Sequence, residues 1–528
     1  MSTVRAATHA LMRELGMTTV FGNPGSTELR FFRDWPDDFR YVLALQESSA
    51  VAMADGYAQA TRRAAFVNLH SAVGIGHALG SVFTAMRNGA PLVLTAGQQT
   101  RAMLATDPYL FAQDATLFPR PYVKWAIEPA RAADVPAAIA RAYWEAMAHP
   151  QGPVFVSVPE DDWDAEAAPV AARVVHGEFT ADPSALAEVA AALAGARAPA
   201  LVVGPGVDRD GAWDLAVALA ERTGAAAWVS PVSSRCSFPE DHAQFAGFLV
   251  PQRTKLAAQL APHDVVVVLG APVFTYHVHA EGEFLNEGTA LFQLTDDAAA
   301  AARAPVGTAI VTTLRPALET LLKDFAQGQT LSRSTPFERE DQGARPLDPI
   351  PAAYVMAAVR RLMPEDAIVV EEAPTHRNAM HDHLPITRSG GFYVAASGGL
   401  GWGVPAAVGV ALAEPERRVI CLVGEGSSMY SIQALWTAAQ HGLPIAFVVL
   451  DNRAYVAMKA LGGAFGITDP PGVDLPGLDV AAVAEGLGVP ARKVEVADDL
   501  DSALRDAFGA GGPTLTNVLV DPAVDPLY

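Results

Sequence analysis

A carboxylate and a carboxamide, each placed where an apolar segment ends, are residue types that hold a divalent cation. Glu425 lies in VGEGSSMYSIQALW (423–436), between two glycines, with a hydroxyl residue and a helical pattern after it. Asn452 closes a second apolar run, IAFVVLDN, and 24 residues separate Gly426 from Asp451. That interval holds one helix and one strand, so Glu425 and Asn452 are expected side by side at the carboxyl edge of a parallel sheet, where open α/β folds bind ligands. The glycines admit a large group to the backbone, and the N–H groups at the helix start suit a phosphate. A carboxylate and an amide oxygen beside a phosphate suit Mg²⁺. The competing reading is that Glu425 only complements the dipole of the helix it opens.

Four more residues have types suited to proton transfer or anion binding. Glu47, in LALQESSAVAMADGYAQAT, stands where a strand turns into an Ala-rich helix, and alone it reads as a helix-start acid. Ser26 lies in a Gly-Asn-Pro-Gly-Ser turn, His70 ends a strand before a Gly-rich turn, and His277 follows the run DVVVVLGAPV. Imidazoles titrate near neutrality and suit proton relay. Each also has a plain alternative: a turn residue, a strand-end hydrogen bonder and a solvated loop residue.

The elements that must position these groups alternate along the whole chain. A helix whose one face carries Val4, Ala7, Leu11 and Leu15 precedes the strands TTVFG, YVLAL, AAFVNLH, APLVLTAG and GPVFVSVP. A low-signal stretch at about 164–185 reads as a linker. The middle of the chain holds a helix over 183–195, PALVVGPGV, DVVVVLGAPV and GTALFQLT; a polar, Pro-rich stretch at about 326–350 follows. The last third repeats the alternation with AIVVEE, RRVICLVGEG, IAFVVLDN and PTLTNVLVDP. Strands alternating with helices imply parallel sheets with crossover helices. The expected fold is α/β, with three doubly wound parallel-sheet domains at 1–180, 181–335 and 345–528.

Composition narrows the class. The 528 residues are 51 % hydrophobic and 18 % charged, enough for large cores, and exceed one ordinary domain. A net charge of −21 argues against nucleic-acid or anionic-membrane partners, though not against a small anionic substrate. Two cysteines make no disulfide framework or cysteine metal cluster, no run reaches the roughly 18 apolar residues of a membrane span, and the N-terminus reads as an amphipathic helix rather than a signal peptide. A cytoplasmic protein is expected.

The pair GEG…DN, at its spacing, resembles the motif of the thiamine diphosphate enzymes, usually written GDG…NN, with Glu here in place of Asp. Further segments resemble the benzoylformate decarboxylase branch of the thiamine diphosphate-dependent 2-keto acid decarboxylases: FGNPGSTEL (21–29), LALQE (43–47), NLHSAVGIG (68–76), AGQQTRAM (96–103), APVFTYH (271–277), AASGGLG (395–401) and YSIQALWTAAQ (430–440). The likeness runs nearly end to end. It implies pyrimidine-binding, middle and diphosphate-binding domains, and thiamine diphosphate with Mg²⁺ (or Ca²⁺ or Mn²⁺) as cofactors. It assigns the cation to Glu425, Asn452 and the carbonyl of Ala454. Cofactor contacts fall on Asn23, Pro24, Gly25, Glu47, Thr375, Gly398, Leu400, Gly424, Gly426, Ser427 and Tyr455. Glu47 would hydrogen-bond the pyrimidine ring, Ser26 meet the substrate carboxylate, His70 relay protons, and His277 protonate the carbon that CO₂ leaves.

The implied reaction is non-oxidative decarboxylation of a 2-keto acid, benzoylformate or an aryl or branched relative, by a carboxy-lyase with some carboligase capacity. Pocket positions are Tyr109, Leu110, Pro374, Val394, Ala457, Met458 and Leu461. Several depart from the branch: Pro for Thr at 374, Val for Phe at 394, Met for Leu at 458, Leu for Phe at 461, Tyr for Leu at 109. These reshape the cavity. His77 and His279 have no counterpart and read as structural. The resemblance also implies a homo-oligomer, a dimer at the least and usually a tetramer, with sites between two chains. Alternatives are a dedicated 2-hydroxy ketone carboligase or lyase, a non-catalytic cofactor-binding homologue, and a nicotinamide or flavin enzyme prompted by Gly204-Pro205-Gly206. That last turn lacks the G-x-G-x-x-G pattern.

Overall fold

The structure, a computed structural model, describes residues 2–326, 337–339 and 344–523. Much of the linker expected at about 326–350 lies outside the described residues. Three six-stranded sheets, all parallel, follow one another along the chain. The first runs in space Arg40–Leu43, Thr19–Gly22, Ala65–Leu69, Leu92–Gln98, Val154–Pro159, Ala126–Ile127. The third runs Phe392–Val394, Ile368–Glu372, Val419–Gly424, Ile445–Asp451, Thr514–Leu519, Ala491–Val494. Counted along the chain, both have the order 2-1-3-4-6-5. The middle sheet instead has the order 3-2-1-4-5-6 of dinucleotide-binding α/β folds.

The first and third sheets therefore share a topology although their sequences show no close repeat. Each reverses its winding between its first and third strands, which opens a crevice at their carboxyl ends. In the first sheet, Thr19–Gly22 leads to Asn23–Ser26 and Ala65–Leu69 leads to His70, so the two segments flank that crevice. In the third, Ile368–Glu372 leads to Pro374–His376 and Val419–Gly424 leads to Glu425.

These two domains are joined by the helices Glu47–Thr61 and Gly403–Ala413, whose side chains share one hydrophobic core. Glycine allows the close crossing. A Cβ on Gly56 would stand 2.3 Å from the Ala406 carbonyl oxygen, and one on Gly409 would stand 1.8 Å from that of Met53. Beside the crossing, buried Asp55 accepts hydrogen bonds from Gln59 Nε2 (2.7 Å), Asn88 Nδ2 (2.8 Å) and Trp402 Nε1 (2.8 Å). The middle domain ties in through Arg235, which pairs with Asp208 at 2.9 Å and donates to the Gln59 carbonyl. Its Gly204-Pro205-Gly206 turn is packed against its own chain: Cβ atoms there would meet Ala271 and Gly270 within 3 Å.

Sequence expectations differ from the structure in three places. The helix after Gly426 is split into a single turn, Glu425–Ser428, and a second helix, Ala434–Gln440. Ser428 Oγ donates to the Glu425 carbonyl at 2.7 Å, a side-chain bond that competes with continuation of the helix. Within the stretch expected as a linker, Glu166–Ala167 forms an antiparallel pair with Ser2–Thr3. The edge strand Ala126–Ile127 is too short to announce itself in the sequence. Among the described residues, no helix is long and apolar enough to cross a membrane.

Candidate active site

The third sheet brings Glu425 and Asn452 together. Their strands pair in register up to Gly424 opposite Leu450, so the residues that follow emerge side by side. Both are buried, at 3 % and 7 % exposure. Glu425 Oε1 lies 2.9 Å from the backbone nitrogen of Ala454, and Asn452 Oδ1 lies 3.1 Å from the same nitrogen. One N–H thus serves two oxygens. Arg453 takes a positive φ of 60° to make this turn, with its N–H on Asp451 Oδ1. The next residues are clamped by Tyr455 N–H to the Val473 carbonyl and Leu475 N–H to the Arg453 carbonyl.

Burial, aided by the nearby charge of Asp451, pushes the Glu425 carboxyl up to about 7. Among the described residues no Lys, Arg or His forms an ion pair with it. A buried carboxylate and an amide oxygen without a cationic partner form a hard-oxygen donor set suited to a cation such as Mg²⁺. Gly426 and Ser427 follow at once, and a Cβ on Gly426 would stand 2.4 Å from the Tyr455 ring.

Sequence reasoning missed two residues that support this edge. His376, buried on the turn Pro374–His376, faces Asn452 Nδ2 with its Nε2 at 3.3 Å. Burial holds its pKa down at about 4, so the ring is neutral and Nε2 accepts. Glu372 is buried beneath the Gly-rich loop. It accepts from Gly401 N–H (2.7 Å), Trp402 N–H (2.7 Å) and Gly403 N–H (2.5 Å). It thereby fixes the loop that carries Gly398, at φ 71°, and Leu400. Burial pushes the Glu372 carboxyl up to about 7. Thr375 and Pro374 are half-buried on the same turn as His376.

The first sheet supplies the other cluster. Glu47 is the first residue of its helix, where Gln46 caps the backbone by accepting from Ser48 N–H at 2.7 Å. Its Oε2 accepts from His77 Nδ1 at 3.1 Å, so His77, read as structural from sequence, joins the site. His70 caps the helix Ser71–Asn88, and its Nδ1 donates to Glu28 Oε2 at 3.0 Å. That bond, the charge of Glu28 and the charge of Glu47 outweigh burial and raise the His70 pKa.

Glu28 is a third residue missed, although the Gly-x-x-Glu spacing of a helix-start box was legible at 25–28. Besides His70 it accepts from Gly25 N–H and Gly97 N–H, each at 2.9 Å, and from the Thr27 hydroxyl. Gly25 is obligatory there, since a Cβ would lie 2.1 Å from His70 Nδ1. Ser26 is exposed beside them, Pro24 is exposed, and Asn23 Nδ2 donates to the Ala44 carbonyl.

The remaining positions are dispersed within one chain. His277 is exposed on the middle domain, its N–H on the Pro251 carbonyl, and is not a hydrogen-bond partner of Glu47, His70 or Glu425. Tyr109 is 86 % exposed, and Leu110, at φ 64°, gives its carbonyl to Ser71 Oγ in the first domain. Ala457, Met458 and Leu461 lie on the helix Val456–Ala464, which packs on the turn Pro374–His376, whereas Val394 is buried in the core of the third sheet.

Three domain models match successive parts of the chain. Residues 2–115 match the thiamine pyrophosphate enzyme N-terminal TPP-binding domain, 186–321 the central domain and 373–518 the C-terminal TPP-binding domain. The chain is 43 % identical over 524 residues to benzoylformate decarboxylase of Pseudomonas aeruginosa, covering 98 % of this chain and 99 % of that one. Among solved structures, it resembles benzoylformate decarboxylase from Polynucleobacter necessarius with TM-score 0.96 and 40 % identity, covering 100 % of both chains. It also resembles the thiamine diphosphate-dependent 4-hydroxybenzoylformate decarboxylase of Rhodococcus jostii RHA1, with TM-score 0.95 and 41 % identity, over 98 % of this chain and 99 % of that one.

Proposed function

Since this chain belongs to the thiamine pyrophosphate enzymes, we propose that it decarboxylates an aryl 2-keto acid, benzoylformate or a ring-substituted relative, to an aldehyde and CO₂. The observation that carries the cofactor reading is the convergence of Glu425 and Asn452 on the Ala454 N–H. The substrate class rests on the relatives' reactions. When bound, thiamine pyrophosphate supplies the electron sink that lets the bond to a carboxylate break.

The chain's own groups have distinct tasks in this reading. Glu425, Asn452 and the Ala454 carbonyl would hold the divalent cation, and Gly424, Gly426 and Ser427 would bind the diphosphate. Glu372 holds in place the loop that carries Gly398 and Leu400, two residues that would contact the cofactor. Glu47 Oε1 is left for the pyrimidine ring, because Oε2 is engaged by His77. The Ser26 hydroxyl meets the substrate carboxylate. His70, anchored through Nδ1, has Nε2 to give or take a proton, and His277 serves as the second acid. Tyr109, Leu110, Pro374, Ala457, Met458 and Leu461 shape the pocket.

The same reading requires two chains per site. Tyr109, Leu117 and Phe118 near the first cluster, and Tyr430, Met458, Phe465 and Ile467 near the second, are exposed apolar side chains that a second chain would cover. A dimer is the minimum and a tetramer the expected assembly.

The deciding experiment measures CO₂ and benzaldehyde from benzoylformate with metal-stripped protein, with and without Mg²⁺ and thiamine pyrophosphate. Turnover that needs both supports the proposal, and a panel of substituted benzoylformates then ranks substrates. A 2-hydroxy ketone in place of free aldehyde would mark a ligase, and no turnover across the panel despite cofactor binding would overturn the substrate assignment.

A further inference from the structure

The helix Ser71–Asn88 presents one stripe to Glu47. His70 caps its start, Gly74 is four residues on and His77 three beyond that, a spacing that keeps all three on one face. At the centre of the stripe Gly74 has no side chain, and a Cβ built there would lie 3.6 Å from Glu47 Cγ, so the carboxylate side chain rests over the glycine. Flanking it, His77 Nδ1 meets Glu47 Oε2 at 3.1 Å, and His70 is close enough for the charge of Glu47 to raise its pKa. An ionised carboxylate only accepts, so Nδ1 of His77 carries the proton of this bond.

The two imidazoles differ in their far sides. His70 Nδ1 is tied to Glu28 and the ring is mostly buried, at 19 % side-chain exposure. The His77 side chain is 55 % exposed, while that of Glu47 is 14 % exposed. Within a single chain Glu47 is thus shielded from water, and the ring hydrogen-bonded to it reaches the surface.

We propose that His77 is a positioning and proton-relay residue of this site: it fixes Glu47 Oε2, leaves Oε1 for the cofactor's pyrimidine ring, and connects the carboxyl to solvent protons. The inference rests on the family reading of Glu47. In the relay, the Nδ1 proton of His77 passes to Glu47 Oε2 while Nε2 takes one from water. The ring stays neutral in its other tautomer, and the reverse transfer returns the proton. No oxidant or co-reactant enters. The arrangement answers a need of any glutamate that cycles a proton in a dry crevice, since its proton must come from and return to bulk water.

The test compares holoenzymes: wild type, Glu47→Gln, His77→Ala and His77→Gln. Two quantities are read, the rate at which the bound cofactor's thiazolium C2 hydrogen exchanges in D₂O, by quenched-flow NMR, and the cofactor Kd by calorimetry. Glu47→Gln must slow exchange strongly; exchange equal to wild type would remove the family reading of Glu47 and with it this inference. Given that control, His77→Ala is expected to slow exchange on the order of tenfold, less than the roughly hundredfold or more of a directly acting acid–base group, with Kd changed less than about threefold. Added imidazole is expected to restore the rate. His77→Gln keeps an N–H donor for Glu47 but passes no proton, so it should remain slow with wild-type Kd. Wild-type exchange in either His77 variant, or no response of His77→Ala to imidazole, overturns the relay while leaving the family reading intact.

Discussion

Asn452 Nδ2 donates to His376 Nε2 across 3.3 Å, and this contact fixes which way the amide faces. With Nδ2 committed to the imidazole, Oδ1 is turned to the Ala454 N–H and to the place a cation would take. His376 is the only acceptor for that amide nitrogen among the described hydrogen bonds. Replacing it with Leu removes the acceptor while keeping an apolar side chain of similar bulk. Supporting groups of this kind contribute about 10- to 100-fold to metal affinity. His376→Leu is therefore expected to weaken Mg²⁺ binding at saturating cofactor by about tenfold, measured by titration calorimetry. Unchanged affinity would show that Asn452 needs no such hold.

Glu425→Gln separates function from stability. The carboxylate is buried with no ion pair among the described residues, and burial raises its pKa to about 7, so its charge is a cost in the metal-free chain. The amide keeps an oxygen for Ala454 and drops the charge. Metal-free Glu425→Gln is expected to melt higher than metal-free wild type, by about 2 °C or more, and to retain no cation-dependent cofactor binding. A lower melting temperature would mean that the negative charge itself holds this turn.

Glu28→Gln tests the acid that sequence reading passed over. Hydrogen bonding to Glu28 and its charge raise the His70 pKa. The cationic ring therefore adds stability that is fully present below its unfolded pKa of about 6.5 and is lost as pH rises through the higher folded value. The glutamine variant should bring the His70 pKa down toward the ordinary range, shift the pH limb of kcat that reports His70 to lower pH, and shrink the stability difference between mildly acidic and alkaline buffer. Selective histidine labelling and NMR titration read the pKa directly. A His70 pKa unmoved by the substitution would sink the assignment.

Gly409→Ala strikes the joint between domains. Its new methyl would meet the Met53 carbonyl oxygen at 1.8 Å, and a backbone atom cannot step aside as a side-chain end can. Overpacking usually costs about 1–3 kcal/mol, and a clash with main chain belongs at or above the upper end. Soluble yield and melting temperature should both fall, whereas Gly195→Ala, where a Cβ meets nothing within 4 Å, should leave them unchanged. Equal behaviour of the two variants would mean that the helices can separate without loss.

Much of this was legible because it is local. The residues Val4, Ala7, Leu11 and Leu15 did form one buried helix face, and the interval from Gly426 to Asp451 did hold the strand that sets Asn452 beside Glu425. Partners that come from afar were not legible. Glu372 meets Gly401–Gly403 across about thirty residues of sequence, Asn452 meets His376 across 76, and Gly97 meets Glu28 across 69. No periodicity marks a residue whose role is to accept from a loop on another strand. His77, which reads as structural because it has no counterpart in the resemblance, likewise meets Glu47 across 30 residues and from a different helix. The expected pocket positions were the least legible part: Tyr109 and Leu110 lie in the first domain, while Pro374, Ala457, Met458 and Leu461 lie in the third.

The Ala454 N–H, on which Glu425 and Asn452 converge, is main chain. Sequence drift at position 454 therefore leaves the anchor in place for any residue that keeps the backbone path, and only proline deletes the donor outright. The point on which the two side-chain oxygens converge is thus stored where side-chain mutation does not reach.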